Sequence, residues 1–285
     1  MREEWKSAAI DNYRKSYNRQ WIKMFEQIHS NKYDHHMWLL GPSSYLFSTN
    51  GMRWGMDIQF RMPWIADIVG DRLIEDLSKL DFIILTHEHS DHLDYRLLSM
   101  LRDAPIRWLI PAFFNREKLL ATGLSPHRIT WVEPDKVYNV DKLSITTFNS
   151  LHFRPNGQGV PEIGYMVDTG YLHLLFPVDV REYNASKMPR FDQVDCLFTH
   201  VWLGGGNALN LPCEPFLTDL CDFCIALNPK RVYLTHLYEI GRPIEEMWTY
   251  THAGLVADGL LARNPDLDIV VPRIGNTYYL FPQDT

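Results

Sequence analysis

Apolar residues recur four positions apart along most of residues 3–29, and charged or amide side chains fill the positions between them. The apolar positions are Trp5, Ala9, Tyr13, Tyr17, Trp21, Phe25 and Ile28. This spacing predicts an amphipathic helix. We expect the helix to lie against the rest of the protein; a helix that binds a membrane surface or a partner is the alternative. It forms a helical extension over residues 1–34, and one domain follows over residues 35–285.

Beyond the extension, short apolar runs broken by Gly, Asn, Asp and Pro predict strands. Residues 37–60 predict two strands joined by a turn at Thr49-Asn50-Gly51, because Asn-Gly favours a two-residue hairpin turn. Residues 65–80 read as part helix and part connection. Helices are predicted at 95–103, 215–227 and 244–264. The other predicted strands are DFIILT, IRWLIP, ITWVE, KLSITTFNS, GYMVDTG, YLHLLFPV, DCLFTHVW and RVYLTHL, with DIVVP and NTYYLF as a closing pair.

Strand-rich halves that are each followed by helices predict an α+β fold with two sheets between helical layers. Hydrophobic residues make up 46% of the 285-residue chain and charged residues 22%, as in ordinary globular proteins. The net charge of -7 argues against nucleic acid as the main partner. Four cysteines form no disulfide framework, and no apolar run suggests a signal peptide or membrane span, so we expect a cytoplasmic protein.

Metal-ligand side chains crowd together where the strand DFIILT ends. His87, His89, Asp91 and His92 follow it in the pattern H-x-H-x-D-H. In an extended backbone, residues two apart point to the same side, so His87 and His89 can converge on one ion. Asp91 and His92 lie past the bend and can reach a second ion. Imidazole and carboxylate groups suit zinc, manganese or iron, so the stretch predicts a metal site.

The stretch THEHSDHLD resembles the signature of the metallo-β-lactamase-fold hydrolases. It is most similar to the branch that contains ascorbate-phosphate lactonases and N-acyl-phosphatidylethanolamine phospholipase D enzymes. The resemblance extends over residues 36–282 in the order of elements and implies an αββα sandwich with metals at one edge of its sheets. The family pattern implies three further ligands at the ends of later strands. The candidates are His152 beside His87 and His89, Asp179 as a bridge between two ions, and His236 beside Asp91 and His92.

Two departures from the family pattern concern the neighbours of these ligands. Val178 stands where the family has glycine before the bridging aspartate, which affects the local turn more than the ligand. The family's Asp-Pro after the second strand is replaced by MDIQF, which leaves the role of Asp57 open.

Other polar residues are candidates for substrate contact or proton transfer. His200 follows a strand and is read either as a hydrogen-bonded strand end or as a proton donor at the metal edge. Arg154 is a candidate anion contact. Gly204, Gly205 and Gly206 could admit a phosphate close to the backbone N–H groups. His127 and His252 are predicted to be solvated, His173 to lie in packing or at the surface, and Cys221 and Cys224 to be two packed thiols.

The resemblance implies a hydrolase in which a hydroxide bridging two divalent ions attacks an ester-type bond in a lactone or a phosphodiester. Asp91 would orient the nucleophile and carry its proton. Zinc is favoured, with manganese or iron as alternatives. The substrate is expected to be a small molecule, phosphorylated or not, and the oligomeric state is open, a homo-oligomer included. A persulfide-dioxygenase-like iron enzyme, a nuclease of the same fold and a non-catalytic binding protein are the competing hypotheses.

Overall fold

The computed structural model describes residues 2–60, 69–70, 72–154, 156–239 and 241–281, with the backbone alone for 2–10, 12–14 and 31. The helices are α1 Arg2–Ile28, α2 Arg72–Leu77, α3 Tyr95–Met100, α4 Arg116–Leu120, α5 Phe216–Ala226 and α6 Tyr250–Arg263. The first seven strands are β1 His36–Leu39, β2 Tyr45–Thr49, β3 Met52–Met56, β4 Phe82–Ile84, β5 Arg107–Pro111, β6 Ile129–Val132 and β7 Val137–Val140. The others are β8 Leu143–Asn149, β9 Ile163–Asp168, β10 His173–Val178, β11 Val194–His200, β12 Pro229–Thr235, β13 Asp268–Val270 and β14 Thr277–Tyr279.

The strands form two mixed sheets, which with the helices confirm the predicted α+β class. Among the described residues, the first sheet has the order β14-β1-β2-β3-β4-β5-β6 and the second β13-β12-β11-β10-β9-β8-β7. The chain divides into two compact units. The first unit comprises Met1–Ile110, Phe114–Trp131 and Arg273–Tyr278, and the second Pro111–Phe113, Val132–Pro272 and Tyr279–Thr285. The division into an extension over 1–34 and a domain over 35–285 stays a prediction.

In the first unit, the stretch predicted to hold two strands over residues 37–60 contains three, β1 to β3, and the predicted turn at Asn50-Gly51 between β2 and β3 is confirmed. Thr49 pairs with Met52 in the antiparallel β2–β3 ladder. Asn50 and Gly51 have φ angles of 51° and 75°, which a two-residue type I′ turn requires and which these two residue types tolerate best.

Helix α1 packs into the core of the first unit along its described half. Tyr17, Trp21, Phe25 and Ile28 are buried in one apolar cluster with residues of the sheet and of α2. The indole N–H of Trp21 donates to the Asp76 carboxylate at 2.8 Å. This packing agrees with a helix laid against the protein, whereas Trp5, Ala9 and Tyr13 have side chains outside the described set.

Two further predictions are wrong in detail. Residues 244–264 hold a short 3₁₀ turn at Ile244–Glu246 and a helix that begins only at Tyr250, because Thr249 caps it. β13 pairs with β12 in the second sheet and β14 lies beside β1 in the first, so they are no closing pair. The hydrophobic pattern indicates that a segment forms a buried strand, but it does not indicate which strand pairs with it. The prediction for residues 65–80 lies partly outside the described residues.

The cysteines and two histidines complete the comparison with expectation. Cys221 and Cys224 are free buried thiols, and burial raises their pKa to about 11 and about 12, so they pack as neutral side chains. His127 is exposed, as predicted. His252 is buried rather than solvated. Its Nδ1 accepts from the Thr249 N–H at 3.0 Å, and its Nε2 donates to the Ala208 carbonyl at 2.9 Å. Among the described residues, no helix is both long and apolar enough to span a membrane.

Candidate metal centre

A contiguous set of ligand-type side chains follows β4 in the first unit. His87, Asp91 and His92 are buried and His89 is half-buried. His87 Nε2 and His89 Nδ1 lie 3.1 Å apart, and the rings of His87 and His92 are 4.1 Å apart between centroids. The Ser43 hydroxyl donates to the Asp91 carbonyl at 2.5 Å and holds the loop. We call these four residues the first set.

Asp57 orients two imidazoles of the first set. It follows β3, whose parallel neighbour β4 leads into Thr86 and His87, so all three residues reach the same edge of the sheet. His92 Nδ1 lies 2.7 Å from one Asp57 oxygen, which also accepts the Thr86 hydroxyl at 2.7 Å. His87 Nδ1 lies 3.0 Å from that hydroxyl oxygen. Both rings therefore carry their proton on Nδ1 and present the Nε2 lone pair, the form that binds a metal ion.

Glu88 is not part of this constellation. Its side chain is exposed and accepts from the Tyr95 hydroxyl at 2.8 Å and the Asn115 N–H at 3.3 Å. The glutamate in T-H-E-H-S-D-H therefore ties the loop to two neighbouring segments.

A dispersed set of ligand-type side chains lies at one edge of the second sheet. β10, β11 and β12 are parallel, and β8 runs in the same direction because it and β10 are both antiparallel to β9. Their carboxyl ends therefore share one edge. Four buried side chains lie at or just after those ends, His152, Asp179, His200 and His236. We call them the second set.

Asp179 is the centre of the second set. One carboxylate oxygen accepts from His200 Nδ1 at 2.6 Å, and the other accepts from Arg181 Nη2 at 2.7 Å. The closest ligand atoms of Asp179, His200 and His236 lie within 4.8 Å of one another. His152 Nε2 is 4.0 Å from the Asp179 carboxylate. The Asp179 N–H donates to the buried Glu162 carboxylate at 3.1 Å, which adds a second negative charge.

The backbone on both sides of this set is held in a rare conformation. Val178 has a φ of 63° and His236 a φ of 65°, in the left-handed region that favours glycine. The turn for which the family uses glycine is therefore kept by Val178, and it aims Asp179. Residues held this way are typical of functional sites, where packing imposes the strain.

His236 and His152 each have a further neighbour. Glu239, three residues after His236, is buried, and its carboxylate lies 3.7 Å from His236 Nε2 and contacts Arg242. The Val160 N–H donates to His152 Nδ1 at 3.2 Å, so the neutral ring carries its proton on Nε2. Metal binding through Nε2 would require that proton to move to Nδ1.

Of the residues predicted to contact substrate, three line a pocket and one, Gly204, packs against a ring. Arg154, Gly205 and Gly206 line a pocket in the second unit. Gly204 has a φ of 95°, and a Cβ there would lie 2.5 Å from the Phe216 ring, so this glycine allows close packing.

Sequence reasoning missed Glu162, Arg181 and Glu239 and left Asp57 open. Glu239 had a signal, since it lies three residues after a predicted ligand. Arg181 lies two residues after Asp179, but nothing in the pattern distinguishes it from a surface arginine. Glu162 reaches Asp179 only through the pairing of strands.

Comparison with known proteins identifies the family. Residues 66–237 match the model of the beta-lactamase superfamily domain, which covers more than half of the chain. No curated protein matches the chain. The chain belongs to this superfamily, whose fold is associated with metal-dependent hydrolases.

Solved structures with low sequence identity share the fold. Isothiocyanate hydrolase from Delia radicum gut bacteria is 17% identical, with a TM-score of 0.61 over 87% of this chain and 99% of that one. The metallo hydrolase Igni18 from Ignicoccus hospitalis is 15% identical, with a TM-score of 0.59 over 85% and 97%. The diiron beta-hydroxylase CmlA from Streptomyces venezuelae is 17% identical, with a TM-score of 0.62 over 86% and 54%.

Proposed function

We propose that this member of the superfamily is a hydrolase that holds two divalent metal ions and cleaves an ester-type bond in a lactone or a phosphodiester. The observation that carries the proposal is the hydrogen bonding around Asp57. It prepares two imidazoles of the first set, His87 and His92, as metal ligands. A buried carboxylate that fixes the tautomer of a histidine is typical of metal-binding histidines, whereas a histidine at the surface does not require one.

The donor chemistry of both sets fits divalent ions. We propose His87, His89, Asp91, His92, His152, Asp179 and His236 as the ligands. Buried imidazoles and carboxylates at a sheet edge are suitable ligands for zinc, and the same ligand types also bind manganese or iron. A cation there would add to the positive charge that Arg181 and Arg242 already place beside the buried carboxylates of Asp179 and Glu239.

When bound, the ions supply Lewis acidity that activates water and polarises the carbonyl or phosphoryl oxygen of the substrate. Asp91 orients the nucleophile and takes its proton. His200 donates to Asp179 through Nδ1 and presents the Nε2 lone pair, which can take up a proton and pass it to the leaving group, or bind metal itself. Arg154 and the glycine loop at 204–206 contact the substrate.

The motif resemblance to the lactonase and phospholipase D branch supports lactones and phosphodiesters as the bonds to test. Hydrolases among the structural neighbours support hydrolysis as the reaction class. The substrate is a small molecule.

The proposal is tested by metal analysis together with a panel of generic lactones and phosphodiesters. We expect close to two divalent ions per chain and hydrolysis that a chelator abolishes and divalent metal restores. His89→Ala should remove both activity and part of the bound metal. His173→Ala is the matched control, because this half-exposed histidine contacts Asp195 and lies outside both sets. Hydrolysis that survives both chelation and His89→Ala would contradict the proposal.

Iron-dependent redox chemistry is the second candidate, since a diiron hydroxylase shares the fold. Iron in the purified protein together with oxygen uptake in the presence of a thiol persulfide would favour it. Zinc or manganese without oxygen uptake would favour hydrolysis.

A further inference from the structure

A pocket of about 570 Å³ opens in the second unit beside the second set. Two arginines, Arg154 and Arg181, and the indole of Trp202 line it, with Asn207, Asn210 and Phe216. Arg181 also binds Asp179, so one side chain connects the pocket to the centre of the second set.

Trp202 forms a platform for both guanidinium groups. The Arg154 group lies 5.1 Å and the Arg181 group 4.7 Å from its ring centroid, within the range of cation–π contact. The indole is itself held in place, because the Tyr183 hydroxyl donates to the Trp202 carbonyl at 2.5 Å and the Phe216 ring meets it edge-on at 5.2 Å. Burial raises the pKa of Tyr183 far above its usual range, so the hydroxyl keeps its proton.

Arg181, which lines the pocket, carries a buried donor that no described residue satisfies. Its side chain is only 8% exposed. Nη2 donates to Asp179, whereas the buried Nη1 makes no hydrogen bond to any described residue. A buried N–H group of a cation that lacks an acceptor is costly, and a bound ligand that supplies one removes the cost.

One carboxylate, Glu214, lines the pocket and a second, Glu246, lies beside Gly205, and both already accept from backbone donors. A Glu214 oxygen accepts from the Thr218 N–H at 3.1 Å, and a Glu246 oxygen accepts from the Gly206 N–H at 2.7 Å. The Arg154 guanidinium makes no hydrogen bond or ion pair with any described residue. A Cβ at Gly205 would lie 3.2 Å from Arg154 Nη2, so the glycine leaves room for this guanidinium. The charged donors that line the pocket are the guanidinium groups of Arg154 and Arg181.

We propose that this pocket binds an oxyanion, a carboxylate or a phosphate, carried by the substrate. The inference rests on the proposed function for the identity of the reacting bond, but the binding of the anion does not depend on it. Guanidinium groups match both oxyanions through paired N–H donors. Because Arg181 contacts both the pocket and Asp179, an occupied pocket holds the substrate at a set distance from the second set. The substrate is an ester-type small molecule that bears a separate negative group.

Titration calorimetry with inorganic phosphate tests the pocket without any turnover. Metal-loaded full-length protein is compared with Arg154→Gln, Arg154→Lys and the control Arg190→Gln, an exposed arginine outside the pocket. Loss of a charge-assisted hydrogen bond should weaken phosphate binding by about tenfold in Arg154→Gln. Arg154→Lys should recover part of the affinity, and Arg190→Gln should match the wild type. Equal affinity in Arg154→Gln and the wild type would place the phosphate elsewhere and overturn the proposal.

Hydrolysis of three matched lactones, one uncharged, one with a carboxylate and one with a phosphate, identifies the source of the anion. We expect kcat/KM to favour a charged lactone over the uncharged one, and Arg154→Gln to reduce that preference about tenfold. The charged lactone whose kcat/KM falls more in Arg154→Gln identifies whether the pocket binds a carboxylate or a phosphate. Phosphate binding that depends on Arg154 in a protein without hydrolytic activity would uphold the pocket and reject the proposed function. Hydrolysis without any preference for charge would reject the pocket alone.

Discussion

The first and second sets contain the same ligand types but are assembled differently. His87, His89, Asp91 and His92 lie within six consecutive positions after one strand, and one neighbouring carboxylate, Asp57, orients two of them, His92 directly and His87 through Thr86. The second set is spread over 85 positions, from His152 to His236, and four strand ends bring it together. A contiguous set depends on local sequence and one support, whereas a dispersed set depends on the register of a whole sheet.

The two sets also differ in their charged surroundings. In the second set, the Asp179 carboxylate accepts from Arg181 and His200, and the Asp179 N–H donates to the Glu162 carboxylate. Asp57 mainly sets the tautomers of histidines in the first set. A change at Asp179 should therefore alter contacts to several charged groups at once, and a change at Asp57 should act on two imidazoles and on Thr86.

The largest effect is expected from Asp179→Ala, which removes the centre of the second set. Activity should fall by about 10³-fold or more, because loss of a catalytic metal forfeits several kcal/mol of transition-state stabilisation. Hydrolysis rates and metal content by mass spectrometry measure the effect. Asp192→Ala, at an exposed position, is the control. Full metal content in Asp179→Ala would show that the second set does not depend on this residue.

Asp57→Asn tests the indirect support of the first set. The amide cannot stabilise the two imidazoles as the carboxylate does, so we expect metal affinity to fall about 10–100-fold. Competition with a chromophoric chelator measures the affinity. Asp103→Asn, whose side chain is 91% exposed, should leave it unchanged. A loss as deep as that of Asp179→Ala would abolish the contrast between a direct and an indirect role.

His252→Gln tests how much the buried His252, which donates to the distant Ala208 carbonyl, contributes to the stability of the second unit. Burial lowers the pKa of His252 below 6.5, although its bond to the Ala208 carbonyl opposes this. A lowered folded-state pKa stabilises the protein fully above pH 6.5 and progressively less as pH falls below it, because unfolding then takes up a proton.

The wild type should therefore lose melting temperature between pH 7.5 and 5.5 more steeply than His252→Gln does. At pH 7.5 the variant should be less stable by about 1–2 kcal/mol from the lost hydrogen bonds. Thermal unfolding across this pH range measures both effects. His127→Gln, at an exposed histidine, should follow the wild-type slope. Parallel slopes for wild type and His252→Gln would show that another group carries the pH dependence.

The smallest effect is expected from Val178→Gly, which tests the strained turn before Asp179. Relief of a positive φ at a branched residue and loss of a buried side chain oppose each other, so stability should change by less than about 1 kcal/mol. Val180 is also a buried valine but has no positive φ, so Val180→Gly should lower the free energy of unfolding by about 2–3 kcal/mol. Chemical denaturation distinguishes them, and equal losses would mean that the turn at Val178 stores no strain.

Local sequence indicated most of the elements but not their partners. Asn50-Gly51 specifies a hairpin because few other residues accept two positive φ angles in succession. By contrast, β13 and β14 have similar strand patterns and join different sheets, because pairing is decided by contacts far along the chain. His252 looked like a solvated helix residue, and only the approach of the segment at Ala208 buries it.

By itself the sequence determined the superfamily of this protein and predicted the metal chemistry that we propose for it. Ligand residues crowded after a strand name a metal site, because extended backbone projects alternate side chains to one side. Only the tertiary structure decided which supporting groups join them. Asp57, Glu162, Arg181 and Glu239 reach the two sets through strand order and loop packing, which pattern and spacing do not encode. The pocket beneath Arg154 has the same origin, since its floor, Trp202, lies 48 positions further along the chain.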